Sequence, residues 1–305
     1  ADATLKDKVK AQRYVQGELR QVVAATAPLR VMPRFDAPMA TEALCGELAT
    51  VFDVTNGWAW AQLANDNYVG YMPVDCISTI IDEPTHWVSA RATFVYPAPD
   101  LKRPPIMRLS LNSRLAVIGK EGRFFELSRG GYIFNEHIHP FEEKGKDFVR
   151  IAERLIGAPY LWGGRSSVGI DCSGLVQIAL EGMGSKCPRD SDMQEAELGE
   201  AVANPDLNKI KRGDLVFWRG HVGIVQSNEW MIHASGHQME VVVEPVRRAV
   251  ERIATTHGNF TSLRRIPGLN RRGSDEPRRG SSAGGKRYTG GKITTARNVL
   301  ADRLV

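Results

Sequence analysis

Residues 157–179 read GAPYLWGGRSSVGIDCSGLVQIA, and their reading decides the fold. Gly157, Gly163, Gly164 and Gly169 mark a loop, after which Leu175, Val176, Ile178, Ala179 and Leu180 form an apolar stripe at helical spacing. At the junction stands Asp171-Cys172-Ser173-Gly174. The pattern predicts a loop feeding a helix whose first turn presents the Cys172 thiol. A helix N-terminus carries partial positive charge and unpaired N–H groups, and both favour a thiolate over a thiol. Cys172 is therefore the candidate nucleophile.

Its partners lie downstream. Two apolar runs, Leu215-Val216-Phe217-Trp218 and His221-Val222-Gly223-Ile224-Val225, are broken at Arg219-Gly220. This predicts strand, tight turn and strand, with His221 at the mouth of the second strand. His233 follows in a third short run, Trp230-Met231-Ile232-His233-Ala234-Ser235. A thiol, a base and a group that orients the base make a cysteine nucleophile system, and they need to converge in space only.

Taken in order, these motifs resemble the NlpC-type cysteine peptidases, which cut the peptide stems of bacterial cell wall. The resemblance covers about residues 147–266. It rests on Pro159-Tyr160-Leu161-Trp162-Gly163-Gly164, Asp171-Cys172-Ser173-Gly174-Leu175-Val176, and Pro188-Arg189-Asp190-Ser191 with Gln194. It continues through Gly213-Asp214-Leu215-Val216-Phe217, His221-Val222-Gly223-Ile224 and His233-Ala234. It implies a papain-like domain with Cys172 as nucleophile, His221 as general base, His233 as the orienting third residue and Tyr160 beside the cysteine. The order of helices followed by strands independently indicates α+β architecture. No cofactor and no metal are expected.

The 305 residues predict two or three domains. Four cysteines, Cys45, Cys76, Cys172 and Cys187, are too scattered for a disulfide framework or a C-x-x-C site. No apolar run approaches the ~20 residues that span a bilayer, and no signal-peptide pattern is visible. The expected location is cytoplasmic, with a periplasmic or exported protein as the alternative if a leader has been removed.

Residues 3–24 read as an amphipathic helix, weakened by Gly17, in an N-terminal arm over 1–26. Residues 27–83 read as all-β, with short runs separated by Thr55-Asn56-Gly57 and Asn65-Asp66-Asn67. Their order resembles a bacterial SH3-like barrel, and residues 84–140 repeat the plan. Strand alternation divides Trp58, Trp60, Tyr68 and Phe124 between core and outer face. From Asp147 a helix carries Phe148, Ile151, Ala152, Leu155 and Ile156 into the peptidase domain, 141–267. A further helix is expected near 193–199, and Ile253, Thr255 and Thr256 with residues 262–266 are expected to close the sheet. Residues 268–305 read as a basic, disordered tail: nine Arg/Lys stand against three Asp/Glu from 271 onward, so the basic balance belongs there. The fold class is thus an α+β papain-like catalytic domain preceded by two small all-β SH3-like barrels.

For peptidases with such barrels in front, the resemblance implies cleavage of γ-D-glutamyl–meso-diaminopimelate bonds in peptides with a free N-terminal L-Ala. Asp171 is then placed for the substrate ammonium, and Arg165 for a carboxylate through bidentate pairing. Ser191 and Asp192 line the same pocket, and Tyr68 reaches from the first barrel to cap the alanine. Such a closed pocket favours small muropeptides. The rival readings are a hydrolase of intact wall and a non-catalytic wall-binding protein. The partner expected is a peptidoglycan-derived peptide, with no nucleic acid and no membrane span.

Overall fold

In the computed structural model, which describes residues 2–268, seven strands build the first β unit. They are β1 (Glu18–Val22), β2 (Thr26–Arg30), β3 (Met39–Leu44), β4 (Leu48–Thr55), β5 (Trp58–Leu63), β6 (Val69–Pro73) and β7 (Ile77–Ser78), in the order β3-β2-β6-β5-β4-β1-β7. Asn56 and Gly57 join β4 to β5 with φ of 51° and 79°. That two-residue geometry matches the twist of the flanking strands. Alternation along β5 sends Ala59, Ala61 and Leu63 into the core. Trp60 faces outward against Tyr71, and Trp58 is covered by Phe35.

Residues 3–24 are not the predicted helix. Only Ala3–Leu5 make a short 3-10 turn, and Glu18–Val22 form β1, paired with β4 and β7. The β unit therefore begins at residue 18, within the arm predicted over 1–26. Gly17 sits so close to Thr50 and Phe52 that an added Cβ would lie 2.2 Å from Thr50 Cγ2. Burial of Gln21 and Val22 in the sheet outweighs a weak helical preference.

The second β unit holds β8 (His86–Val88), β9 (Ala92–Tyr96), β10 (Met107–Ser110), β11 (Arg114–Leu115), β12 (Val117–Glu121), β13 (Phe124–Leu127), β14 (Tyr132–Phe134) and β15 (Ile138–Pro140). Its orders β10-β9-β14-β13-β12 and β11-β8-β15 repeat the first unit, with β4 divided into β11 and β12.

Four helices and a sheet follow: α1 (Phe148–Glu153), α2 (Cys172–Glu181), α3 (Ser191–Glu197), then β16 (Glu200–Ala201), β17 (Leu215–Trp218), β18 (His221–Val225), β19 (Trp230–Ser235), β20 (Glu240–Pro245), α4 (Val246–His257) and β21 (Ser262–Arg265). All pairs in the sheet β16-β21-β17-β18-β19-β20 are antiparallel. Ile253, Thr255 and Thr256 lie in α4 rather than in a closing strand. Val246, Ala249 and Ile253 recur at three- and four-residue steps and are its buried face.

Helix α2 is buried along nine of its ten residues. Its core takes in Phe148, Val149 and Ile151 of α1 and Phe217, Val222 and Ile224 of the sheet. Leu44 of the first β unit and Trp87 and Leu111 of the second belong to the same core. The three parts therefore share one apolar interior around the helix that carries Cys172. Among the described residues, no helix is long and apolar enough to cross a membrane. The basic tail predicted from 268 lies, from 269 onward, outside the described residues.

Candidate active site

Cys172 opens α2, capped by Asp171. The Asp171 carboxylate accepts from the Gly174 N–H at 2.7 Å, from the Gly163 N–H at 2.8 Å and from Ser173 Oγ at 3.3 Å. Arg189 grips the same carboxylate at 3.0 and 2.6 Å, while also donating to Ser173 Oγ and to Thr41 Oγ1 of β3. Asp171 thus holds the first turn of α2 beside Cys172.

The backbone N–H of Val222, the residue after His221, favours the charged form of the Cys172 thiol. Burial pushes the thiol up to about 12, with the Asp171 charge adding to the effect; the Val222 and Ser173 N–H groups and Arg189 act the other way. The N–H groups at the helix terminus favour the thiolate as the sequence leads one to expect, and burial outweighs them. Tyr160, half-buried, packs against the core that includes Cys172.

His221 and His233 are brought together. His221 Nε2 lies 2.8 Å from His233 Nδ1, and His233 Nε2 lies 2.8 Å from Glu244 Oε1. The two rings meet edge to face with centroids 5.0 Å apart. Register explains the line. Ile224 faces Ile232 and His233 faces Val242, so His221, His233 and Glu244 step diagonally across β18, β19 and β20 on one face. Burial holds His221 well below the usual 6.5, helped by His233, His257 and Arg252.

A pH dependence follows. His221 accepts a proton only when neutral, and a lowered pKa extends the neutral form to the acid side of 6.5. The plot of kcat/KM against pH is expected to stay level through 6.5 and fall only below it; an acid limb centred at or above 6.5 would contradict the site. By the same sign, folding stability is full above 6.5 and declines as pH falls, because the unfolded chain then binds a proton the folded chain refuses.

The remaining predicted residues divide. Arg165 is fully buried, so it does not meet a substrate carboxylate. Its guanidinium donates to Glu42 O at 3.0 Å, to Glu47 at 3.1 and 3.3 Å, and to Glu181 at 2.7 Å. It ties the first β unit to the loop before Cys172. Ser191 opens α3 and is half-buried. Asp192 is exposed and its carboxylate accepts from the Met193 N–H. Tyr68 does reach the catalytic part, where its hydroxyl donates to Asp190 Oδ2 at 3.2 Å. Asp190 and Glu244 were not singled out from the sequence. Asp190 stood in the quoted motif Pro188-Arg189-Asp190-Ser191. Glu244 was visible as a lone carboxylate in the apolar strand Val241-Val242-Val243-Glu244.

A cysteine at the head of a buried helix, with two histidines in line on the facing sheet, coincides with a family match. The model of the NlpC/P60 family matches residues 157–257, which include Cys172, His221 and His233. The chain carries an NlpC/P60 domain. Before this NlpC/P60 domain, the model described as the bacterial dipeptidyl-peptidase Sh3 domain matches residues 29–77. The chain is 28% identical over 246 residues to dipeptidyl-peptidase 6 of Lysinibacillus sphaericus, covering 72% of this chain and 89% of that protein. It is 30% identical over 174 residues to the gamma-D-glutamyl-L-lysine dipeptidyl-peptidase of Bacillus subtilis, covering 51% of this chain and 55% of that one. The crystal structure of an NlpC/P60 family protein from Bacillus cereus superposes with a TM-score of 0.67 at 20% identity, over 82% of this chain and 99% of that one. The last likeness concerns the fold alone.

Proposed function

We infer that this protein is a cysteine peptidase that hydrolyses the γ-D-glutamyl–meso-diaminopimelate bond of peptidoglycan stem peptides. Its substrates are small muropeptides with a free N-terminal L-Ala, and its place is cytoplasmic recycling of wall fragments. His221 takes the Cys172 proton through Nδ1, the ring nitrogen not engaged with His233, as the sulfur attacks the γ-carbonyl. The N–H of Cys172, first in α2 and outside the helical ladder, donates to the oxyanion. His221 then protonates the leaving amine. The thioester is hydrolysed by water that His221 deprotonates.

The observation that carries the substrate reading is the Tyr68–Asp190 bond. It sets a phenol from the first β unit against a carboxylate one residue from Arg189, which itself holds the Asp171 turn beside Cys172. A substrate ammonium needs such a pair. Burial raises the Asp190 carboxyl above its ordinary range, so an arriving cation finds a poorly compensated partner. Asp190 joins Asp171 as a carboxylate for the substrate ammonium. The name of one relative, gamma-D-glutamyl-L-lysine dipeptidyl-peptidase, supports a γ-D-glutamyl bond as the target, with lysine as the diamino acid it names.

The test compares L-Ala-γ-D-Glu-diaminopimelate with its N-acetylated form and with purified sacculi. Release of diaminopimelate from the free peptide, with little from the other two, is expected. Clearing of sacculi at a comparable rate would favour a hydrolase of intact wall. In a Tyr68→Phe variant, KM for the free peptide is expected to rise about tenfold with kcat little changed, the size of one hydrogen bond to a charged group. An unchanged KM would remove Tyr68 from the pocket.

A further inference from the structure

The orienting residue behind His221 is itself an imidazole. A neutral imidazole can accept from His221 or donate to it, so on its own it does not decide which nitrogen of His221 carries the proton. The structure contains the group that decides. Glu244 lies 2.8 Å from His233 Nε2, and Arg252 of α4 donates to the same carboxylate oxygen.

We propose that Glu244 is a positioning residue of the Cys172–His221–His233 system, acting through His233 to fix the tautomers of both rings, with Arg252 keeping its carboxylate in place. This rests on the peptidase reading above and adds a fourth member to it. Glu244 is 9% exposed and His233 1%, so water does not substitute for either. Burial works against the charge of Glu244, but the hydrogen bonds from His233 and Arg252 outweigh it and hold the carboxyl below 4.5. An ionised carboxylate accepts only, so His233 Nε2 carries the proton and donates. His233 Nδ1 then holds a lone pair and accepts from His221 Nε2–H. His221 Nδ1 is left as the basic nitrogen, ready for the thiol proton. When His221 becomes an imidazolium, its Nε2–H already points along a line that ends in a negative charge. A carboxylate two bonds away thus supplies part of what a direct carboxylate would give. No proton need leave His233.

The other groups around His221 do not supply this direction. Trp218 faces it across the hairpin at 5.6 Å between centroids, and His257 of α4 at 6.0 Å. Asp171 is held by Arg189, and Tyr160 packs against the core that includes Cys172. Arg252 and His257 oppose a positive His221; Glu244 alone among these groups favours it through hydrogen bonds.

The test uses Glu244→Gln and Glu244→Ala in the full chain, with two readouts. The first is the rate of Cys172 alkylation by iodoacetamide against pH, read at the Cys172 peptide by mass spectrometry; it needs no substrate. The second is kcat and KM on L-Ala-γ-D-Glu-diaminopimelate. Glu244→Ala is expected to slow alkylation near neutral pH and kcat by about 10- to 100-fold, as for other groups that orient an imidazole from behind. KM should change little, and the acid limb of both profiles should move. Glu244→Gln keeps an acceptor for His233 Nε2–H without the charge, so it should recover part of the rate while the acid limb remains moved. A purely structural Glu244 would lower melting temperature and leave both profiles of the folded protein unchanged. That result overturns the proposal, and if the alanine variant does not fold, a glutamine variant equal to wild type overturns it as well. If alkylation shifts as expected while no peptide is cleaved even by wild type, the substrate reading fails and the role of Glu244 stands.

Discussion

His221→Ala is expected to lower kcat on the tripeptide by on the order of 10⁴- to 10⁶-fold, with the fold intact by circular dichroism. The size follows from the state of the sulfur. Burial pushes the Cys172 thiol up to about 12, so almost no thiolate exists at neutral pH unless a base takes the proton. With the imidazole gone, neither the helix terminus nor the Val222 N–H replaces it. Alkylation of Cys172 in this variant should lose its inflection below 6.5 and rise only in strong alkali. A variant retaining a tenth of wild-type turnover would mean that another group serves as base.

The second large effect is on stability. Arg165 is fully buried between Glu47, itself 2% exposed at the side chain, and Glu181 at 12%. Removing one partner from such a cluster leaves uncompensated charge in the interior, at a cost of about 3–5 kcal/mol. Arg165→Met is therefore expected to destabilise the protein by about that amount in urea or thermal unfolding. Changing Glu47 and Glu181 to apolar residues of similar volume in the same chain should restore much of the loss, because the desolvation penalty goes with the charges. A single substitution within about 0.5 kcal/mol of wild type, the range of ordinary surface changes, would contradict the buried-cluster account.

What could be read from sequence follows a physical boundary. The nucleophile helix, the hairpin at Arg219-Gly220 and the Asn56-Gly57 turn are local, set by periodicity and turn chemistry within a few residues, and they appear as expected. Residues 3–24 failed because a strand at 18–22 depends on partners at 48–51 and 77–78, which no local pattern reports. α4 was missed because its apolar members are widely spaced among Arg and Glu and end in two β-branched threonines. At the site, Cys172, His221 and His233 were legible from their motifs. The engagements of Asp171 and Arg165 were not. A charge beside a nucleophile looks the same in sequence whether or not it has an internal partner; here Arg189 pairs with Asp171, and Glu47 and Glu181 with Arg165. The pairing of Glu244 with His233 shows only in the strand register, which sets the two diagonal.

The central claim is that one sulfur performs the reaction, and turnover of L-Ala-γ-D-Glu-diaminopimelate by Cys172→Ala beside wild type measures it. The other cysteines, Cys45, Cys76 and Cys187, remain in that variant as internal controls. The account predicts diaminopimelate release by wild type and none above background by Cys172→Ala, with both proteins unfolding at similar temperatures. Release by the alanine variant at a rate near wild type would contradict it.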